Sequence, residues 1–187
     1  MNLTTENIEV LITLCQSGNQ QAQLEIYNRY YKAMYNTAFR IVKNSFEAED
    51  IMQEAFLSAF TKLDTLQEVT IFGAWLKRIV VNKSIYQYNK DGKHQNVPMD
   101  SVLYKLEDES SSISIEETES DSKVKMIIKA INGLKDNYRI ALTLHLIEGY
   151  DYEEIGAITN VSYANCRTTV SRAKEKLRLA LQPIINY

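Results

Sequence analysis

The sequence predicts an all-α protein made of two small helical domains joined by a flexible acidic linker. Three observations carry this reading. Apolar residues recur at three- and four-residue intervals over most of the chain, and no alternating run of β-branched residues competes with them. Only six Gly and two Pro punctuate the 187 residues, which leaves room for long helices. The formal net charge of −3 is unevenly spread: residues 1–90 are neutral, 91–122 hold two Lys/Arg against nine Asp/Glu, and 123–187 hold ten against six. The acidic middle therefore hides a basic C-terminal part.

Each element follows in order. Ile8, Leu11, Ile12 and Cys15 form a first stripe, closed by Ser17-Gly18-Asn19. Leu24, Tyr27, Tyr31, Met34, Tyr35, Ala38, Ile41 and Val42 form a longer second one. Asn44 and Glu47 have the spacing of a capping box and open a third helix, which carries Ile51, Ala55, Phe56, Ala59, Phe60 and Leu63. After a polar stretch at 64–70, a fourth helix runs from about Phe72 to Tyr88, with Phe72, Trp75, Leu76 and Ile79 as its core face. Residues 91–122 are rich in Ser and acid, too poor in apolar surface to offset the entropy of ordering. They predict a linker with one transient turn near Val102–Leu106. Beyond it, Val124, Ile127, Ile128, Ile131 and Leu134 mark a fifth helix and residues 137–148 a sixth, closed by Gly149. Two further helices, about 152–158 and 162–181, are parted only by Thr159-Asn160-Val161.

That last pair reads as a helix-turn-helix. Ile155, Ile158, Val161, Cys166, Val170, Ala173 and Leu177 form its apolar set, and the last four lie on one stripe of a helix. Gly156 suits a close approach of the two helices, Asn160 tolerates a left-handed turn, and Ser162 can cap the second helix. The opposite face then presents Tyr163, Asn165, Arg167, Thr168, Ser171, Arg172 and Lys174. Arg forks onto guanine, Asn pairs with adenine, and Ser or Thr binds phosphate, so this face suits the major groove of DNA. A solvated cationic helix end, favoured by the helix dipole, is the plainer alternative.

Other chemistries lack support in the sequence. Cys15 and Cys166 sit in no CxxC or His-spaced pattern, and Cys166 occupies a core position. His145 has no Ser, Cys or acid placed for catalysis, and His94 falls in the linker. There is no metal set and no glycine-rich phosphate loop, so neither enzyme activity nor a cofactor is expected. No window approaches eighteen uninterrupted apolar residues, and no signal-like start is present, which predicts a cytoplasmic protein without membrane insertion.

AEDIMQEAFLSAF (48–60) followed by FGAWLKRIVVNKSI (72–85) resembles region 2 of bacterial extracytoplasmic-function sigma factors. LKDNYRIALTLHLIEGYDYEEIGAITNVSYANCRTTVSRAKEKLR (134–178) resembles their region 4, and the two cover nearly the entire chain in the right order. The resemblance implies a subunit that binds core RNA polymerase, directs it to promoters and helps melt the −10 element. It places region 2 at 1–90 and region 4 at 123–187. It puts contact with the β′ clamp on Asp50, Gln53 and Glu54, flanked by Phe56 and Leu57. The pocket for an unstacked base falls at about Asp64–Ile71 with Asn82 beside it. Lys77, Arg78 and Lys83 (with Lys90) are implied phosphate contacts, and Tyr86 or Tyr88 an implied stacking group. Region 4 is implied to bind the β flap and the −35 element, and an anti-sigma factor is an implied partner. The chain departs from the family pattern at Lys135, where a proline is common, at Tyr86, where Asp is frequent, and at Asn160, which stands for a turn glycine.

A stand-alone helix-turn-helix regulator with a sensing or dimerising first domain is the competing reading, and it gives no reason for the motifs at 48–85. The linker suits the first reading. Promoter elements two helical turns apart are separated by about 70 Å, whereas a flexible chain of 32 residues averages about 30 Å and extends past about 100 Å. Its acids are also expected to screen the basic helix. Replacing them with Ser or Gln should raise polymerase-free DNA binding at low salt, and an unchanged affinity removes the screening role.

Overall fold

The computed structural model describes residues 3–90 and 119–185, with side chains given at 3–90 and 123–182. Helices α1 (Ile8–Gln16), α2 (Gln20–Val42), α3 (Ser45–Thr61) and α4 (Phe72–Lys90) build the first domain. Helices α5 (Glu119–Asn132), α6 (Asp136–Leu142), α7 (Tyr152–Thr159) and α8 (Tyr163–Ile185) build the second. No strand occurs among the described residues. The expected turn at Val102–Leu106 lies outside them, and α5 starts at Glu119, earlier than expected.

Local chemistry sets the helix ends. Asn7 and Asn19 cap α1 and α2 by accepting the amides of Val10 and Ala22. Asn44 caps α3 by accepting from Phe46 and Glu47, while its own amide donates to the Glu47 carboxylate at 2.7 Å. The reciprocal bond thus runs side chain to side chain, not to the Asn44 backbone as in a full capping box. Between α3 and α4 the polar stretch folds into two 3₁₀ turns, Leu63–Thr65 and Val69–Ile71.

The first core forms where α2, α3 and α4 pack together with α1 laid against α2. Ala22, Ala38, Ala48, Ala55 and Ala59 are fully buried, so the helix backbones approach closely, and Leu11, Ile12, Ile26, Ile41, Phe72 and Leu76 fill the remaining space. Each large side chain buried there is worth about 1.5–3 kcal/mol. Two expectations need correction. Leu24 is 60% exposed, because the buried stripe of α2 runs through Ala22 and Ile26. Val124 and Ile127 are also exposed, since α5 meets the second core chiefly through Ile131.

The second core joins Ile140, Leu142, Leu144, Ile155, Cys166, Val170 and Ala173. The expected single helix at 137–148 is not regular. After Leu142 it widens into a π-helical turn, Thr143–Ile147, closed by the amide of Glu148 on the carbonyl of Thr143. The helix-turn-helix forms as expected. Asn160 adopts a left-handed backbone (φ 57°), and its amide donates to the Gly156 carbonyl. Ser162 Oγ accepts the amide of Asn165 at 3.3 Å. A Cβ on Gly156 would stand 2.8 Å from the Val161 carbonyl oxygen, too close for the turn to persist unchanged. Gly133 is looser, its nearest neighbour being 3.6 Å away. Gly156→Ala should therefore cost about 1–3 kcal/mol, as other overpacked sites do. Gly133→Ala should be close to neutral, and urea unfolding followed by circular dichroism checks the pair.

Candidate nucleic-acid interface

Four residues of α8 point inward: Cys166, Val170, Ala173 and Leu177 are all at most 8% exposed. That stripe turns the expected DNA face outward, and Tyr163, Asn165, Arg167, Thr168, Ser171, Arg172 and Lys174 are all exposed. The face divides into two flanks. Tyr163 meets Tyr152 edge-on at 6.1 Å, and Tyr152 in turn stacks on His145 at 4.9 Å. Lys174 Nζ lies 3.1 Å from His145 Nε2, and the Tyr150 carbonyl lies 3.0 Å from His145 Nδ1. With Lys174 as donor, the imidazole donates from Nδ1 and accepts at Nε2. His145 thus braces one edge of the recognition helix. On the other flank, Asn165, Thr168 and Arg172 line a cavity of about 510 Å³ whose far wall includes Ile85 and Tyr88 of α4.

Helix α7 supports this arrangement. Asp151 accepts the amide of Glu154 at 2.8 Å, and the Glu154 carboxylate accepts the amide of Asp151 at 3.0 Å. This full capping box was missed in the sequence, although the Asp-x-x-Glu spacing could have revealed it.

The candidate residues on α4 do not form one open surface. Asn82 and Tyr86 are exposed, Tyr86 at 69%. Lys83 pairs with Glu54 of α3 at 3.2 Å. Lys77 Nζ donates to the Glu148 carbonyl at 3.0 Å and lies 3.6 Å from the Glu148 carboxylate. Arg78 lies 3.9 Å from Glu154. Tyr88 is buried and its hydroxyl donates to Asp136 at 3.3 Å, so it is not placed to stack on a base.

On α3, Asp50, Gln53, Glu54 and Leu57 are exposed, and Leu57 is joined by Phe46, 79% exposed, which sequence reasoning did not single out. Phe56 is a correction. It is 3% exposed and packs on Tyr27 at 4.9 Å and Phe60 at 6.0 Å, so it supports this face from beneath and cannot touch a partner directly.

Two helical domains, the second a helix-turn-helix with a polar, basic outer face, define a DNA-binding architecture. The family model described as Sigma-70 region 2 matches residues 26–94, and the one described as Sigma-70, region 4 matches residues 125–177. The ECF RNA polymerase sigma-E factor of Escherichia coli is 28% identical over 186 residues, with 95% of each chain covered. The RNA polymerase sigma-H factor of Pseudomonas aeruginosa is 27% identical with 98% of each covered. Among solved structures, CnrH in complex with the cytosolic domain of CnrY shares the fold at TM-score 0.55 and 21% identity, over 95% of this chain and 99% of that one. The sigma factor RpoE bound to the anti-sigma factor NepR, from Bartonella quintana, shares it at TM-score 0.52 and 23% identity, over 84% and 95%. The chain belongs to the sigma-70 family, in its extracytoplasmic-function (ECF) group, whose members serve promoter-specific initiation of transcription as non-catalytic subunits.

The two thiols fit a structural role. Cys15 and Cys166 are free and buried, one in each core. Burial pushes the Cys15 thiol up to about 11, and burial followed by the charge of Asp151 raises that of Cys166. Both therefore stay protonated and weakly nucleophilic at neutral pH. Labelling by a disulfide reagent at pH 7.5 should be slow in native protein and complete on unfolding. Rapid native labelling of either would contradict the burial.

Proposed function

We propose that this chain works in the bacterial cytoplasm as the promoter-recognition subunit of RNA polymerase. Residues 1–90 engage the β′ clamp through Asp50, Gln53, Glu54 and Leu57 on the exposed face of α3. They hold the melted −10 strand near the 3₁₀ turns before α4, with Asn82, Lys83 and Tyr86 alongside and Lys77 and Arg78 as phosphate contacts. Residues 123–187 set α8 into the major groove of the −35 element and touch the β flap, and residues 91–122 span the two. Capture of an unstacked base offsets the few kcal/mol that unstacking costs, so melting needs no hydrolysis. An anti-sigma factor is the expected inhibitor, since both solved neighbours named above were determined with a second protein bound.

The observation that best supports this reading is the recognition helix itself, with four inward residues turning seven polar or basic ones outward, after a turn whose Val161 carbonyl lies where a Cβ on Gly156 would be crowded. Run-off transcription with purified core enzyme on genomic fragments tests it, and defined start sites are the expected result. Arg172→Ala should weaken discrimination of the −35 element by about 1–3 kcal/mol, or roughly five- to more than a hundredfold, and leave core binding intact. Loss of both activities together would contradict the division of labour.

A further inference from the structure

Helix α4 and the helix-turn-helix enclose the cavity of about 510 Å³ without filling it. Polar anchors fix its two sides: Arg139 donates to the Ile41 carbonyl at 3.1 Å, and Arg40 donates to the Glu148 carboxylate at 3.1 Å. The volume falls within the range of about 300–1,000 Å³ that small organic ligands occupy. Its walls are chemically segregated. Ile85, Ile140, Ala141 and Ile155 are buried and form an aliphatic floor, joined by Tyr88, whose hydroxyl donates to Asp136. The rim is exposed and polar, with Asn89, Asn137, Asn165, Thr168 and Arg172. Arg172 is the one charged residue among those lining the cavity, and no carboxylate of the described residues pairs with it.

We propose that this cavity binds a small amphipathic carboxylate, with an alkyl chain on the aliphatic floor and the head group on Arg172. A guanidinium takes a carboxylate through two parallel N–H···O bonds, and the rim amides of Asn137 and Asn165 supply further donors. Other ligand classes fit the walls less well. A nucleotide needs several cations or backbone amides around its phosphates, and this rim offers a single cation. A partner helix is about 10–12 Å across with its side chains, so this volume holds only about one turn of it. No cluster of metal-ligating side chains occurs among the described residues. Burial of the chain drives binding, and the pair at the exposed rim sets the preference for an anion. Such a ligand and a DNA base or phosphate compete for the same guanidinium, so its presence lowers affinity for DNA. That consequence rests on the promoter reading above, whereas the site itself does not.

Methyl NMR on the full chain, labelled at the isoleucine δ1 positions, reads the site without DNA or polymerase. Titration with octanoate should shift Ile85, Ile140 and Ile155 saturably, with a midpoint at or below about 1 mM, and leave Ile12, Ile26 and Ile41 of the first core in place. Two comparisons isolate the charge: 1-octanol on the parent, and octanoate on Arg172→Gln, should each bind about fivefold more weakly. Acetate, which lacks the chain, should give no saturable shift in that range. Ala141→Leu fills the floor and should abolish binding of octanoate and octanol alike, with thermal unfolding by circular dichroism showing that it is folded. If Ala141→Leu does not fold, Arg172→Gln, altered only at the exposed rim, and the octanol comparison supply the reading. A midpoint above about 1 mM, or shifts that spread equally to the first core, overturn the site. Octanoate binding undiminished in folded Ala141→Leu overturns its location. Equal affinity for octanol, or unchanged affinity in Arg172→Gln, overturns the carboxylate, and saturable binding of acetate overturns the alkyl chain. Failure of the parent in run-off transcription counts against the promoter reading and leaves the titration untouched.

Discussion

A guanidinium with almost no access to water has to be satisfied by the protein on every side, and Arg139 is such a group. Asp136 neutralises it from within its own helix, and the backbone at the end of α2 takes the remaining donors. The last carbonyls of a helix carry partial negative charge, so the cation finds a complementary field there as well as acceptors. Removing one partner of such a buried arrangement typically costs about 3–5 kcal/mol, because the other is left uncompensated. Arg139 thus ties the second domain to the end of α2, alongside the apolar residues of both domains that form one continuous cluster. The cavity between α4 and α8 shows that hydrophobic packing across the junction is incomplete.

This division between apolar and polar forces separates what is permanent from what is conditional. Within each domain, alanines and large aliphatic residues are buried together, and the helix-turn-helix is pinned by a glycine and a left-handed asparagine. Between domains, most named contacts are ion pairs or hydrogen bonds from long side chains. Polar contacts of that kind can be exchanged for water or for phosphate at small net cost, whereas an apolar core cannot.

The sequence made the local physics legible. Helical stripes located every long helix, Gly156, Asn160 and Ser162 defined the turn, and the inward stripe of α8 predicted its outward face. Contacts between residues about a hundred positions apart were not legible. Nothing in the local pattern distinguishes Glu148 and Arg139 from ordinary surface charges, since their burial is created by α2 and α4. For the same reason Lys77 and Arg78 read as open cations, although both face carboxylates of the other domain. Phe56, unlike Leu57, lies on the apolar stripe of Ile51, Ala55 and Ala59, so the helical period already placed it inside, and only the family resemblance set it on the partner-facing surface.

The π-turn at Thr143–Ile147 carries a further consequence. Arg139 and Glu148 are nine positions apart, which on a regular 3.6-residue helix puts them on opposite sides. Absorbing one extra residue in the wide turn cuts that angle to roughly 80°, so both can reach the same neighbour. A helical wheel drawn straight through this segment misplaces everything after Leu142. A relative shorter or longer by a single residue here would present a different side chain to its first domain while reading DNA with an unaltered α8.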